Sequence, residues 1–142
     1  ACAAGLAVLE EILQQNVIEN ARQRGASLKA SLTTLKHRYP FIGDVRGKGL
    51  LLAFELVADR DTMEPLPVEL NAHVELVEEA YNRGLIIYSR RTRGGTVGDH
   101  FMVCPPLIVT DADLDEIIQL LVNSLDAFAD SSGLPINREK TP

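Results

Sequence analysis

The run from residue 50 to 57, Leu-Leu-Leu-Ala-Phe-Glu-Leu-Val, constrains the fold more than any other stretch, because its apolar character is interrupted only by Glu55. It is too short for a typical buried helix and is bounded by turn signals, so it reads as a central strand covered on both faces. A second extended segment precedes it from Ile42, and Arg46-Gly47-Lys48-Gly49 separates the two. Gly-Lys-Gly lacks the spacing of a phosphate-binding loop and opens no helix. The glycines instead mark a strand bend or a close approach of backbone.

Helical patterns surround this strand pair. Residues 1–13 are rich in Ala and Leu and apolar nearly all round, so they predict a helix that needs cover on several sides, with Ala1, Ala4 and Val8 exposed in this chain alone. A second helix is predicted from an Asn16 N-cap with Glu19 three residues on; Ile18, Ala21, Leu28, Leu32 and Leu35 form its buried stripe, and Tyr39-Pro40 ends it. Residues 59–67 read as a polar loop. Leu70, Val74, Val77 and Tyr81 line a third helix closed by Gly84. Thr110 caps a fourth, Asp111 and Asp113 complement its dipole, and Leu114, Ile117, Ile118, Leu121, Leu125 and Phe128 face inward. From residue 131 to 142 the pattern dissolves into an expected frayed tail after a domain spanning 1–130.

Residues 85–88 and 100–104 are expected as short strands, with eleven residues between them, too many for a tight hairpin. That connection carries Arg90, Arg91 and Arg93 beside Gly94, Gly95 and Gly98, which reads as a flexible arginine loop. A guanidinium fork matches a carboxylate or phosphate, so the loop is a candidate anion clamp. The element order predicts an α/β fold of two layers, a mixed or antiparallel sheet of about four strands with helices on one face.

At 142 residues the chain is the size of a single domain, and its net charge of −6 argues against a nucleic-acid partner, since phosphate binding calls for a basic surface. No segment approaches the roughly 18 apolar residues of a membrane span. Cys2 and Cys104 are expected as free, buried thiols in a reducing compartment, which places the protein in the cytoplasm. His37, His73 and His100 have no spacing suited to a metal. His37 and His73 read as helix-surface residues, while His100, next to Asp99 and near the arginines, is a candidate binding residue.

Three segments in order, ACAAGLAVLEEI at 1–12, DVRGKGLLLAFEL at 44–56 and GLIIYSRRTRGGTVGDHFMVCPPLIVT at 84–110, resemble the C-terminal part of a class III pyridoxal-phosphate aminotransferase of fold type I. The resemblance covers the chain to about Phe128. It implies a small domain that completes the substrate side of the active site, with pyridoxal phosphate in the intact enzyme and none bound to this chain. It also implies a large cofactor domain as partner, a homodimer when intact, and amino acid, amine and keto acid substrates. The Schiff-base lysine of that family lies upstream of the segment like ACAAGLAVLE; Lys29, Lys36, Lys48 and Lys140 lack the apolar setting such a lysine needs. Catalytic residues are therefore expected elsewhere and this chain alone is expected to be inactive. The family's arginine for the substrate carboxylate most often holds the place occupied here by Tyr88, and in other members the place of Met102. Arg90, Arg91 or Arg93 is left to take that role, with Tyr88 and His100 beside them. The rival reading of the same residues is a non-catalytic α/β module that binds an anionic metabolite through the arginines, or a partner chain through the apolar face of residues 1–13.

Overall fold

In the computed structural model, which describes residues 2–138, the apolar run becomes β2 (Leu51–Asp59), the strand on which the sheet is built. It pairs with β1 (Ile42–Lys48) on one side and β5 (Val97–Val103) on the other. Beyond β5, β4 (Tyr88–Arg93) forms the free edge, so the order is β1-β2-β5-β4 with every pairing antiparallel. A two-residue strand, β3 (Glu64–Pro65), adds to β2 from within the expected loop. The helices are α1 (Cys2–Gln14), α2 (Val17–Arg38), α3 (Ala72–Asn82) and α4 (Asp111–Ser132). The result is a two-layer α/β domain.

Side chains alternate across a strand, and one set here is apolar and covered. Leu52, Phe54 and Leu56 of β2, with Phe101 and Val103 of β5, are buried in the same core as Leu28 and Leu32 of α2, Leu76 of α3 and Leu121 of α4. Phe54 and Phe101 stand opposite each other in the register and stack, centroids 5.1 Å apart and planes 15° off parallel. The other face is bare: Leu51 is exposed, and Ala53 and Glu55 are only half-buried. The central strand is thus covered on one face, against the expectation of two. Its nearly continuous apolar sequence hides the difference because Leu51 and Ala53 sit on the uncovered side.

The second and third helices depart from the predicted faces for local reasons. Asn16 lies in left-handed backbone, φ 52°, and its side chain caps nothing. Glu19 instead accepts from Arg22 and Gln23, which lower its carboxyl pKa to about 2. Val17 is buried while Ile18 points to solvent. In the next helix, Leu70 belongs to a preceding 3-10 turn (Val68–Leu70), and the inward face is Ala72, Leu76 and Ala80, with Tyr81 exposed. Small residues at that face let the helix lie close to the sheet. Gly84, φ 88°, ends it as predicted, its N–H bonding the Tyr81 carbonyl and that of Leu85 the Ala80 carbonyl.

The fourth helix starts at Thr110 with a reciprocal capping box to Asp113 and runs through Ser132 to Gly133, past the expected end. Leu134 and Ile136 then lie against the core, and Asn137 donates to the Arg38 and His37 carbonyls. The predicted fraying from 131 is therefore replaced, through 138, by a docked segment. Ala1 and Lys140 lie outside the described residues. Both cysteines are free but exposed rather than buried, Cys2 on uncovered α1 and Cys104 just beyond β5. No residue of α1 is buried, and Ala4 and Val8 are exposed as expected.

Gly25 is where α2 meets the turn between β1 and β2. A Cβ there would fall 2.3 Å from the carbonyl carbon and oxygen of Gly49, backbone atoms that cannot step aside. Gly25→Ala is expected to destabilise the chain by about 1–3 kcal/mol in urea unfolding, despite alanine's better helix propensity. Gly5→Ala on α1, where nothing lies within 4 Å, is expected to cost nothing. The Asp113 carboxyl is held below its ordinary pKa, first by the Thr110 backbone N–H and then by the Thr110 hydroxyl. A lowered folded-state pKa adds stability above the unfolded value that disappears as pH falls through the folded one. The melting-temperature deficit of Asp113→Ala is therefore expected at neutral pH and should vanish well below pH ~4, the ordinary aspartate range.

Candidate functional site

The three arginines are on a strand, not in a flexible loop. The hairpin between β4 and β5 turns through Gly94, Gly95 and Thr96 alone, with Gly94 and Gly95 at φ 64° and 77°. That tight turn replaces the expected eleven-residue connection, and it divides the arginines by strand alternation. Arg91 and Arg93 lie on the helix side. Arg91 donates from Nε to buried Asp99 Oδ1 at 3.1 Å and from Nη2 to the Val68 carbonyl at 3.0 Å; Arg93 donates to the Met63 carbonyl at 3.1 Å. Arg90 lies on the bare side, exposed and without a hydrogen-bond or ion-pair partner among the described residues.

The bare face has an ordered charge pattern because the register places its residues in rows. One row runs Arg90, His100, Glu55, Asp44 across the four strands, and the next Tyr88, Met102, Ala53, Arg46. Arg46 Nη1 donates to Asp44 Oδ2 at 2.8 Å and to Glu55 Oε2 at 2.9 Å, and these bonds, Asp44 first, raise its pKa. Both carboxylates of the row are thereby bonded to one guanidinium within the sheet. At the other end, Arg90 stands beside His100, whose Nδ1 is buried and has no hydrogen-bond partner among the described residues. A groove of about 730 Å³ wraps the free edge of β4 here, bordered by Arg90, Arg91, His100, Gly94 and Gly95 from the hairpin and by His73 from α3. Its cationic lining suits a carboxylate or phosphate.

Of the residues predicted for this site, Arg90, His100 and Tyr88 share the bare face, while Arg91 and Arg93 are drawn to the opposite side. His73, read from sequence as a surface residue, is the addition: it borders the groove, and its Nδ1 lies 3.4 Å from Asp99 Oδ1. Nothing in the spacing of His73 and Asp99 signals that meeting, which depends on how α3 crosses β5. Among the described residues no cluster of His, Cys, Asp or Glu could hold a metal ion, and no helix is long and apolar enough to cross a membrane.

The pyridoxal phosphate implied by the sequence resemblance requires a desolvated lysine. Lys29 and Lys48 are exposed, and Lys36 is half-buried on the surface of α2. None of these fits the aldehyde end of the cofactor.

Residues 1–125 match the family described as aminotransferase class-III. The chain is 39% identical over 117 residues to taurine–pyruvate aminotransferase of Bilophila wadsworthia, covering 82% of this chain and 25% of that protein. It is 38% identical over 122 residues to alanine–glyoxylate aminotransferase 2 homolog 2, mitochondrial, of Arabidopsis thaliana, covering 86% and 24%. Among solved structures, an (S)-enantioselective omega-transaminase from Thermomicrobium roseum superimposes with a TM-score of 0.76 at 31% identity over 89% of this chain and 27% of that one. A PLP-bound aminotransferase mutant from Vibrio fluvialis gives a TM-score of 0.81 at 27% identity over 92% and 27%. The chain spans about a quarter of the length of these relatives. In sequence and in fold, the chain belongs to the class III aminotransferases.

Proposed function

We propose that this chain is the C-terminal small domain of a pyridoxal-phosphate-dependent aminotransferase and supplies the substrate-carboxylate side of its active site. The carrying observation is the separation of the arginines: Arg91 and Arg93 are bonded to the helix side, while Arg90, beside His100 on the bare sheet face, has no partner among the described residues. A small α/β domain would present that face, with Tyr88 and Met102, to a larger cofactor domain. The large domain would also carry the Schiff-base lysine, since none of the described lysines is desolvated. When bound, pyridoxal phosphate supplies the electron sink for amino-group transfer. This chain's own share is to hold the carboxylate of the amino or keto acid through Arg90, assisted by His100, and to set the distance of that carboxylate from the reacting centre.

The intact protein in this reading is a homodimer, acts on amino acids or amines and keto acids, and works in the cytoplasm, where the free thiols Cys2 and Cys104 stay reduced. Uncovered α1 and the exposed Leu107 and Ile108 beside it favour cover by another domain of the same enzyme over a free-standing module.

Two measurements test this reading. The isolated chain, mixed with pyridoxal phosphate, an amino acid and a keto acid, is expected to show no transamination; measurable turnover by it would remove the need for a separate cofactor domain. In the full-length enzyme, Arg90→Ala is expected to raise KM for a carboxylate-bearing substrate by roughly ten- to a hundredfold, the loss of a charge-assisted pair, while an uncharged amine donor is barely affected. Equal effects on both substrates would take the carboxylate role away from Arg90.

A further inference from the structure

β4 lacks the usual device for fixing strand register. Its helix-side residues are Ser89, Arg91 and Arg93, and its bare-side residues are Tyr88, Arg90 and Thr92, so no apolar pattern distinguishes the faces in favour of the one observed. A strand with two polar faces is prone to slip, and a slip of one residue exchanges the faces. The Arg90-Arg91 doublet makes that exchange chemically cheap, because either guanidinium could pair with a carboxylate on β5.

What opposes the slip is polar. Asp99 is buried at 1% exposure on the helix side of β5, and a carboxylate there needs a cation. Arg91 meets that need while its other nitrogen reaches the Val68 carbonyl, a double attachment that fixes its direction as well as its charge. The Ser89 hydroxyl donates to the His73 carbonyl on the same side, and Arg93 to that of Met63. Next to Asp99 on β5 is His100, on the opposite face; next to Arg91 on β4 is Arg90, also on the opposite face. The buried pair and the exposed pair are thus consecutive rungs of one ladder, and fixing the first fixes the second.

We propose that Asp99 is a positioning residue: by drawing Arg91 inward it pins the register of β4 and so leaves Arg90, rather than its identical neighbour, as the uncommitted guanidinium on the bare face of the groove. The inference rests on the carboxylate role given to Arg90 above. Its sharpest consequence concerns Arg91, which also lines the groove but is committed to Asp99 and the Val68 carbonyl. With Arg91 removed, Asp99 keeps only His73, whose Nδ1 lies 3.4 Å from Oδ1, and β4 loses both its tie to Asp99 and its tie to the Val68 carbonyl, so Arg90 is freed to turn inward.

The test uses the full-length enzyme with Arg90→Ala, Arg91→Ala and Asp99→Asn, and with Asp99→Asn added to Arg90→Ala. Two readouts are needed: KM for a carboxylate substrate against an uncharged amine donor, and amide hydrogen exchange across Tyr88–Arg93. Arg91→Ala and Asp99→Asn are each expected to raise the carboxylate KM about tenfold or more with kcat for the amine preserved, and to speed exchange across β4. Arg90→Ala is expected to match the KM effect with exchange unchanged. Asp99→Asn on the Arg90→Ala background should add nothing to the carboxylate effect, since both act through one interaction. Should Asp99→Asn fail to fold, Arg91→Lys keeps the charge but loses the Val68 contact and is expected to move both readouts in the same direction. If Arg90→Ala raises the carboxylate KM but the Asp99 and Arg91 variants leave it and the exchange unaltered, the positioning role is overturned and the Arg90 assignment stands. If Arg90→Ala has no selective effect, the assignment itself falls; slower exchange in the Asp99 variant would then also exclude a register pin.

Discussion

The seam between β2 and β5 is the constraint on which this domain depends. The sheet consists of two hairpins, β1-β2 and β4-β5, separated in sequence by α3, and only this pairing joins them. Phe54 and Phe101 sit opposite one another at its centre and stack over the helices. An aromatic cross-strand pair contributes roughly 0.2–1 kcal/mol beyond Ala–Ala, a small sum. Its position matters more, because two large rings on one face permit a single register for the seam. A shift of one residue would turn the ring of the slipping strand toward solvent and break the stack. That register in turn places Glu55 against His100, and so builds the charge row on the opposite face from an apolar decision made on the covered one.

The two hairpins differ in how securely that information is carried outward. β1 and β2 meet through a turn whose Gly49 touches Gly25 of α2, so a helix backbone limits how the hairpin sits. β4 has no such abutment. Its attachment to the segment preceding and opening α3 runs through hydrogen bonds to Val68, Met63 and His73 carbonyls, each modest in net energy and each directional. The arginine-bearing edge is therefore held by direction rather than by buried area, a mode of attachment that sets geometry finely and yields locally at low cost.

The apolar pattern of this sequence discloses the two-layer fold, the helix ends at Gly84 and Thr110, and the inward row of α4, because each rests on a periodicity or a local cap. It misleads where two patterns coexist. Leu51 and Ala53 extend the apolar run of β2 although they face away from the core, and Tyr81 continues a helical spacing whose inward face is made of alanines. The arginine strand was hidden for the opposite reason: Ser-Arg-Arg-Thr-Arg has loop composition, and the pairing that makes it a strand comes from β5, not from its own residues. The resemblance of three ordered segments to one family reached the region of the site, but not the division among Arg90, Arg91 and Arg93, which is decided by buried Asp99.

The charge of the chain and the charge of its site have opposite signs, and the fold explains how both hold. A net charge of −6 belongs largely to the solvent side of the helices, where Glu75, Glu78, Asp115 and Glu116 are exposed. On the bare sheet face, the acidic residues Asp44 and Glu55 share Arg46, and on the covered face Asp99 holds Arg91. Arg46 and Arg91 are thus committed to carboxylates, while Arg90 has no hydrogen-bond or ion-pair partner among the described residues. An uncommitted cation at this edge of the face, with exposed Lys48 of β1 at the other, keeps a local field that the distant helix carboxylates, screened beyond about 8 Å in physiological salt, do little to cancel. An acidic protein can in this way offer an anion one well-defined place to bind, and the number of arginines near the site matters less than which of them already has a partner.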